Sequence, residues 1–550
     1  MMLNKRFALP LLLGAAALPA AAFAASGTDS VTTVTGVGLA APMNVNSLLP
    51  VVNNNSVGNF QAVIQMYRPL LWIGRDLKID WTDSIAKSIK VSANRTVFTV
   101  TMKDWKWSDG KPVTAADAAY GFQMIKDFGK RYPNYGIGGM PGIVKSFKVL
   151  GEHTFRVTLT HSVNANWFKL NGLSQITPAP RFAWKAYSID YLFNHQTDPA
   201  LVQVVDGPYK LARFAQGREV AFVANPAYSG HQPSIKHFTF KMITSSDAAF
   251  AALKTGDIQI GNVPATLYNA RRLVANLKSM RTSGGFSISY LPLNFTNPKV
   301  AFFHDLKVRE ALQYAIDQPL IIKTVLHGLG TPSFNPVPSA PDTYLSPEMK
   351  KLVAHPLDMY RPKKAAQLLD EAGWKPGPNG VREKDGKRLA FSMIVPSGNA
   401  ARLATAQILK QEWQAIGVDM SIRQMTFNQE IAMLAPHKDW EMAMIGWVYA
   451  PDYYPSGGGM FNTGGGSNYG AYSNPKMDKL IAATTHGKGL KTLYAYENYA
   501  ARQLPVLFLP APGYLVKYDP RLHGMNKFYT PVSYMAPEYL SYAKSSGGAQ

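Results

Sequence analysis

The chain of 550 residues contains no cysteine. This absence excludes disulfide bonds, thiolate metal sites and cysteine nucleophiles. It also excludes the attachment of a lipid to an N-terminal cysteine. We therefore expect a protein that diffuses freely and is not a lipoprotein.

Acidic residues are also scarce, because 35 Asp and Glu stand against 57 Lys and Arg, for a formal net charge of +22. The basic residues are scattered, and pairs such as Lys350-Lys351, Lys363-Lys364 and Arg271-Arg272 are their longest runs. No recognition helix or RNA-binding motif accompanies them, so we do not predict a nucleic-acid partner. The shortage of carboxylates is consistent with an acidic habitat, where fewer groups would be protonated.

A long hydrophobic run occurs only near the N-terminus. Lys5 and Arg6 precede an apolar stretch at residues 7–18, and Ala22-Phe23-Ala24 follows it as a cleavage motif. The run is too short to span a membrane. These three parts in this order predict a signal peptide at residues 1–24, with the mature chain beginning near Ala25.

The length of the chain predicts more than one packing unit, since single hydrophobic cores stop growing beyond roughly 250–300 residues. We place a first lobe at residues 25–290, with an inserted β-rich subdomain at about 60–200. A second lobe of α/β type is placed at residues 291–508. Residues 509–550 are expected to return to the first lobe.

The two halves differ in their periodicity. Residues 96–102 and 154–160 alternate between apolar and polar and carry β-branched side chains, which predicts strands in the first half. In the second half, predicted strands at 389–395, 418–424 and 442–447 alternate with a helix at 400–416 and a short helix at 429–434. This alternation indicates βαβ units and a mainly parallel sheet.

One segment carries more information than any other. Residues 107–117 read Trp-Ser-Asp-Gly-Lys-Pro-Val-Thr-Ala-Ala-Asp. Asp109-Gly110 predicts a tight turn, and Thr114 with Asp117 predicts a capping box for the next helix. The segment resembles a signature of the family 5 extracellular solute-binding proteins. Further segments that resemble this family follow in the expected order at residues 207–210 with 225–228, 252–258, 308–317, 360–374 and 468–478.

The resemblance implies the fold and the function. The expected fold is α/β, of the two-lobed periplasmic binding protein-like type (class II), with mixed sheets and a hinge between the lobes. The implied function is that of a periplasmic substrate-binding component of an ABC importer, which binds peptides in the cleft and is not an enzyme. Its expected partners are the peptide or small solute and the inner-membrane permease and ATPase complex; we expect a monomer without a cofactor.

The resemblance also implies a binding segment at residues 446–455. In peptide-binding members this region carries an aspartate that pairs with the α-ammonium of the peptide, and Asp452 is the acid present here. Trp447, Tyr449, Tyr453 and Tyr454 would supply apolar walls with polar tips. Asn468 and Tyr469 complete the predicted set. Asp452 lies about two positions later than in the family pattern, so a loop carboxylate that caps the following turn is the alternative interpretation.

A second departure concerns an arginine. Dipeptide-binding members place an arginine just before a helix of the second lobe, where it holds the substrate carboxylate. Residues 395–402 have no arginine at the matching position, and we interpret Arg402 as a solvated helix charge. The departure favours oligopeptides over dipeptides.

Two other functions remain as alternatives. The first is a carrier of a nickel or other metal chelate or of another small solute, which needs few protein ligands; the eleven histidines show no pair at helical spacing and no H-E-x-x-H motif. The second is a serine acyl enzyme of the penicillin-recognising type, built from Ser84-Ile-Ala-Lys87, Ser92-Ala-Asn94 and Lys254-Thr-Gly256. Its first two elements are almost adjacent, which leaves no room for the helical domain between them.

Overall fold

The computed structural model describes residues 29–39, 41–52, 56–436 and 438–542. The predicted signal peptide at residues 1–24 lies outside the described residues. The fold is mixed α/β with several sheets, as expected from the sequence. No helix in the described ranges is long and apolar enough to cross a membrane.

The helices are spread over the whole chain. In the first half they are Val57–Met66, Ala115–Phe128, Ala165–Trp167, Arg181–Trp184, Ile189–Asn194 and Ser246–Thr255. In the second half they are Leu306–Tyr314, Gln318–Thr324, Pro347–Ala354, Pro362–Glu371, Ala400–Gln414, Phe427–Met433, Pro475–His486, Lys491–Gln503 and Met525–Phe528.

Several of these helices begin and end where the sequence predicts. Thr114 donates its backbone N–H to the Asp117 carboxylate over 2.8 Å, so the predicted capping interaction at the start of Ala115–Phe128 is present. Asp305 accepts from the N–H of Lys307 and caps Leu306–Tyr314. Gly373 has a φ of +86° just after Pro362–Glu371, a conformation that glycine adopts without strain.

Two four-stranded sheets dominate the first half. One has the order Ser30–Thr33, His237–Lys241, Glu219–Ala224 and Tyr209–Ala215. The other has the order Ala86–Val91, Val97–Met102, Thr154–Leu159 and Val144–Gly151. A three-stranded sheet joins Ile260–Val263, Tyr514–Tyr518 and Lys278–Thr282, so a strand from the end of the chain lies between two strands of the first half.

The second half contains the predicted parallel sheet. Ala390–Pro396 lies at its centre and pairs in parallel with Asp419–Met425 and Met442–Ala443. The predicted strand at 442–447 is in fact two strands, because the chain leaves this sheet after Ala443 and enters another as Ile445–Val448. Small sheets complete the fold at Lys375–Pro376 with Arg382–Lys384 and Lys387–Arg388, Trp72–Ile73 with Ile79–Asp80, Trp105–Lys106 with Pro112–Val113, and Leu522–His523 with Ser541–Tyr542.

A three-stranded antiparallel sheet joins the two halves, and we call it the crossing sheet. Its central strand is Ser287–Pro292, flanked by Ile445–Val448 and Val506–Leu509. The return strand predicted at residues 504–510 is therefore present. Two of the strands, Ser287–Pro292 and Val506–Leu509, contribute buried side chains to both hydrophobic clusters, and Ile445–Val448 contributes Ile445 to the first.

The buried apolar side chains form two clusters, whose residues we call the first and the second lobe. The second cluster lies within residues 291–325, 365–444 and 507–509. The first cluster takes in residues 31–290 and also many within 337–349, 449–504 and 515–540, together with Ile394, Leu434, Trp440, Ala443, Ile445, Val506 and Phe508. The boundaries drawn from the sequence remain a prediction, but this packing favours a second lobe that excludes 337–349 and 449–504.

A buried ion-pair cluster fixes the C-terminal return to the first lobe. The Arg68 guanidinium lies 2.6 Å from the Glu538 carboxylate and 3.4 Å from that of Asp83, and the Arg68 and Glu538 side chains are fully buried. The guanidinium also stacks over the Trp72 ring at 3.9 Å. Removing one partner of such a cluster would leave an uncompensated buried charge and destabilise the protein.

Candidate functional site

A cavity of about 710 Å³ lies between the two lobes, and we call it the cleft. One wall belongs to the first lobe, one to the second, and the crossing strands reach its floor. Its volume lies within the roughly 300–1,000 Å³ typical of ligand pockets. The lining residues include 244–247, 262–266, 398–402, Thr405, Ser289, Met444, Ile445, Leu509, Pro510 and 512–514.

Arg402 contributes a guanidinium to the second-lobe wall of the cleft. It lies in the first turn of Ala400–Gln414, where the Asn399 side chain accepts from its backbone N–H over 3.0 Å. The guanidinium lies near Gly446, where a Cβ would be in ordinary van der Waals contact with an Arg402 nitrogen at 3.4 Å. Burial lowers the pKa of Arg402, and the nearby Glu430 carboxylate opposes this. The interpretation of Arg402 as a solvated charge was therefore wrong, since its side chain lines the cleft and is partly desolvated there.

Glu430 is fully buried behind this wall, on the helix Phe427–Met433. Neither of its carboxylate oxygens has a hydrogen-bond partner. Burial raises the pKa of Glu430 to about 7, against the opposing influence of the Arg402 charge. The two side chains influence each other electrostatically without forming an ion pair among the described contacts.

Two phenols belong to the same cluster. Tyr290, on the central crossing strand, is buried with its hydroxyl unpartnered. Burial raises the pKa of Tyr290, and Tyr469, Arg402 and Glu430 all act on it electrostatically. Burial and Glu430 likewise raise the pKa of Tyr469. We call Tyr290, Arg402, Glu430 and Tyr469 the charged cluster.

A second cavity of about 330 Å³ adjoins the cleft, and we call it the apolar chamber. Ala41 and Pro42 line the cleft, and the next residue, Met43, lines the chamber. Ile445, just before the binding segment, lines the cleft, and Val448 within that segment lines the chamber. The wall of the chamber is largely aromatic and aliphatic and includes Phe60, Ile64, Tyr67, Tyr132, Tyr453 and Tyr534.

Asp452 is partly buried and accepts a hydrogen bond from the Asn171 side chain. Burial raises the pKa of Asp452 to about 8. No lysine, arginine or histidine of the described residues forms an ion pair with it. The carboxylate is therefore desolvated without a cationic partner.

The other predicted site residues fall into two groups. Tyr453 lines the apolar chamber, Tyr469 belongs to the charged cluster, and Trp447 lies half-buried on a crossing strand with its indole N–H unpartnered. Tyr453 thus faces a cavity, Tyr469 lies near the buried Glu430 carboxylate, and Trp447 has an indole N–H available to a ligand.

The second group consists of Tyr449, Tyr454 and Asn468, whose side chains are engaged in structural hydrogen bonds. Tyr449 donates its hydroxyl to the Pro336 carbonyl over 2.6 Å. The Tyr454 hydroxyl accepts from the Asn164 amide over 3.2 Å. Asn468 closes a turn, accepting from the Tyr472 N–H over 3.0 Å and donating to its carbonyl over 2.7 Å.

The residues of the acyl-enzyme alternative do not form a reactive site. The Ser84 hydroxyl is fully buried, donates to the Asp80 carbonyl over 2.6 Å and accepts from the Trp72 N–H over 2.8 Å. Lys254 is exposed on the helix Ser246–Thr255. Within the described ranges, no three His, Asp or Glu side chains lie close enough together to hold a metal ion.

Comparison with known proteins gives consistent results. The family model described as "Bacterial extracellular solute-binding proteins, family 5 Middle" matches residues 81–470. The chain is 30% identical over 417 residues to the oligopeptide-binding protein AppA of Bacillus subtilis, covering 74% of this chain and 73% of AppA. It is 27% identical over 429 residues to the nickel-binding periplasmic protein of Escherichia coli, covering 76% and 75%.

The fold also matches that of solved structures. The solved structure of Bacillus subtilis AppA in complex with a nonapeptide superposes with a TM-score of 0.70 at 24% identity, covering 94% of this chain and 100% of AppA. The two lobes, the crossing sheet and the cleft thus occur in a known architecture. The chain belongs to family 5 of the bacterial extracellular solute-binding proteins.

Proposed function

We propose that this protein is the periplasmic substrate-binding component of an ABC importer and that it carries peptides in the cleft. The observation that carries the proposal is a cleft walled by both lobes, with a guanidinium on one wall and an adjoining apolar chamber. Closure of the lobes about the crossing sheet would enclose the solute. The membrane permease and its ATPase would then receive the loaded form.

Arg402 and Asp452 together favour a solute that carries both a carboxylate and an ammonium group. Arg402 offers a planar donor group, which pairs well with a carboxylate. Asp452 lacks a cationic partner and is partly desolvated, so an α-ammonium group would relieve its burial cost. We propose that Asp452, Trp447, Tyr453 and Tyr469 contact the solute.

Tyr449, Tyr454 and Asn468, the remaining members of the predicted set, support the site through their hydrogen bonds. Their hydroxyl and amide groups hold the backbone of the binding segment and of the turn at Asn468. They would affect affinity indirectly.

The size of the site favours oligopeptides over dipeptides. The cleft alone, at about 710 Å³, has room for several residues, and the apolar chamber of about 330 Å³ lies nearby. The name of the Bacillus subtilis relative supports the same solute class. The proposed role is binding and delivery, without catalysis.

Mass spectrometry of solutes retained on the purified protein tests the solute class. We expect peptides, and we expect added peptides of the same kind to raise the Tm. Asp452→Asn should weaken a peptide with a free N-terminus far more than its acetylated form, whereas Glu152→Gln, at an exposed carboxylate, should change neither. Equal loss for both peptides would show that Asp452 does not bind the ammonium group.

A metal chelate is the second candidate solute. The Escherichia coli relative is named as nickel-binding, and Arg402 would bind the carboxylates of a chelator as readily as those of a peptide. Recovery of a metal with a small polycarboxylate, and of no peptide, would favour this candidate.

A further inference from the structure

A groove of about 700 Å³ lies on the first lobe, apart from the cleft, and we call it the basic groove. It lies between the 3-10 segment Ala265–Val274 and the sheet strands Lys278–Thr282 and Tyr514–Tyr518. Its lining residues are Tyr268, Asn269, Arg271, Arg272, Ala275, Ser279, Arg281, Leu515 and Lys517. Four of them are cationic and none is acidic.

The sheet supplies two of these cations from one face. Ser279 pairs with Lys517 and Arg281 with Leu515 across neighbouring antiparallel strands. Residues two apart on a strand point to the same face, so Arg281 and Lys517 both face the groove. The 3-10 segment adds Arg271 and Arg272 from the opposite side.

These positive charges are poorly compensated. The sequence has no Asp or Glu between Asp257 and Asp305. Arg272 and Arg281 are exposed, and among the described contacts neither side chain has a hydrogen bond or an ion pair. Lys517 is only 7% exposed and donates to the Leu277 carbonyl over 3.2 Å. Burial lowers the pKa of Lys517, and the charge of Arg271 lowers it further. An anion in the groove would relieve this repulsion.

An apolar side chain stands beside the arginines. Leu273 directly follows Arg272 and is 58% exposed, among the most exposed large apolar residues that the structure describes. Basic residues next to an exposed apolar side chain are typical of protein surfaces that lie on anionic membranes, where the cations meet phosphate groups and the apolar group enters the interface.

We propose that the basic groove binds the phosphate headgroups of anionic phospholipids and so holds this protein on a bilayer surface. The groove lies outside the cleft, so this binding does not depend on which solute is carried. A carrier held at the membrane stays close to a membrane-bound partner.

Sedimentation with phosphatidylcholine vesicles, with and without phosphatidylglycerol, tests the proposal. The full chain should bind only the vesicles that contain phosphatidylglycerol, and added salt should weaken the binding. Replacing Arg272→Glu and Arg281→Glu together should weaken it by at least about tenfold. The double variant Lys87→Glu and Lys90→Glu makes the same change of charge at exposed strand positions and should leave most of the binding.

Two results would overturn the proposal. Equal loss in both double variants would mean that overall charge, not the groove, attracts the vesicles. Binding of inorganic tripolyphosphate without vesicle binding would assign the groove to a free phosphate compound. Leu273→Ser should weaken vesicle binding and leave tripolyphosphate binding unchanged, because only a bilayer offers an apolar interface.

Discussion

The buried carboxylate of Glu430 accepts no hydrogen bond at either oxygen from the described residues. Such a group is costly to ionise, which explains why its pKa rises from the ordinary 4.5 to about 7. The folded state therefore holds the proton more tightly than the unfolded state. This residue lowers the free energy of unfolding as the pH rises from about 4.5 to 7.

Replacing Glu430→Gln removes this cost of ionisation. At pH 4 both forms are neutral, and the variant should have nearly the Tm of the parent. At pH 8 the variant should be more stable by about 2–3 kcal/mol. Thermal unfolding of both proteins across this pH range checks the prediction. A stability difference between variant and parent that stays constant at every pH would show that folding does not raise the pKa of Glu430.

The charged cluster also shows which site residues could be predicted from the sequence and which could not. Asp452, Tyr453 and Tyr469 could be selected because their segment resembles a binding segment. Tyr290 and Glu430 could not, since neither lies in a distinctive motif and nothing in the sequence reveals that both are fully buried with free polar atoms. Arg402 was misread because its burial at the cleft wall depends on groups distant in sequence, such as Glu430 and Tyr290.

At the scale of elements, one asparagine fixes the binding segment to the first lobe. Asn171 is fully buried; it accepts from the Tyr454 N–H over 2.7 Å and donates to the Tyr454 carbonyl over 2.9 Å. Its amide also donates to Asp452. A single side chain thus sets the position of residues 452–454, of which Tyr453 lines the apolar chamber.

Asn171→Ala should therefore affect stability and binding together. We expect a loss of about 2–3 kcal/mol of unfolding free energy, since buried backbone groups of Tyr454 lose their partners. The affinity for the retained solute should fall as well, because the segment is no longer held. Chemical denaturation and titration with the solute measure the two effects. The exposed Asn276→Ala is the matched control and should change neither; unchanged affinity in Asn171→Ala would contradict this role.

Most elements could be predicted because their signals are local. Capping side chains, terminal glycines and apolar periods gave the helix Pro362–Glu371 and the strands Ala390–Pro396 and Asp419–Met425. The break at Met444, where the chain changes sheets, could not be predicted. The run at 442–447 is uniformly apolar, so its sequence is compatible with a strand in either sheet. Pairing partners depend on the whole fold.

At the scale of the molecule, several carboxyls share the behaviour of Glu430. Burial raises the pKa of Asp452, Glu497 and Glu412 to about 8. Among the described residues, the carboxyls with a lowered pKa are Asp370, Asp439 and Asp519, through pairing with Arg382, Lys299 and Arg521. Between about pH 4.5 and 8 the folded state therefore binds more protons than the unfolded one.

The pH profile of the whole protein follows from this difference. The Tm should be highest at an acidic pH, between about 4 and 6, and should fall as the pH rises to about 9. Below this window the protein loses the stability from the lowered carboxyls, as they become protonated. Scanning calorimetry in buffers of constant ionic strength checks the profile. A maximum above neutral pH would contradict it and would also argue against an acidic habitat.

The first hydrophobic core contains side chains from Val31 and from Leu540, and the Arg68 guanidinium meets Glu538 only when the chain is nearly complete. A ribosome makes a chain from its N-terminus, so the hydrophobic core of the first lobe cannot be complete until residues 515–540 have been made. The native packing of the first lobe therefore waits for these residues.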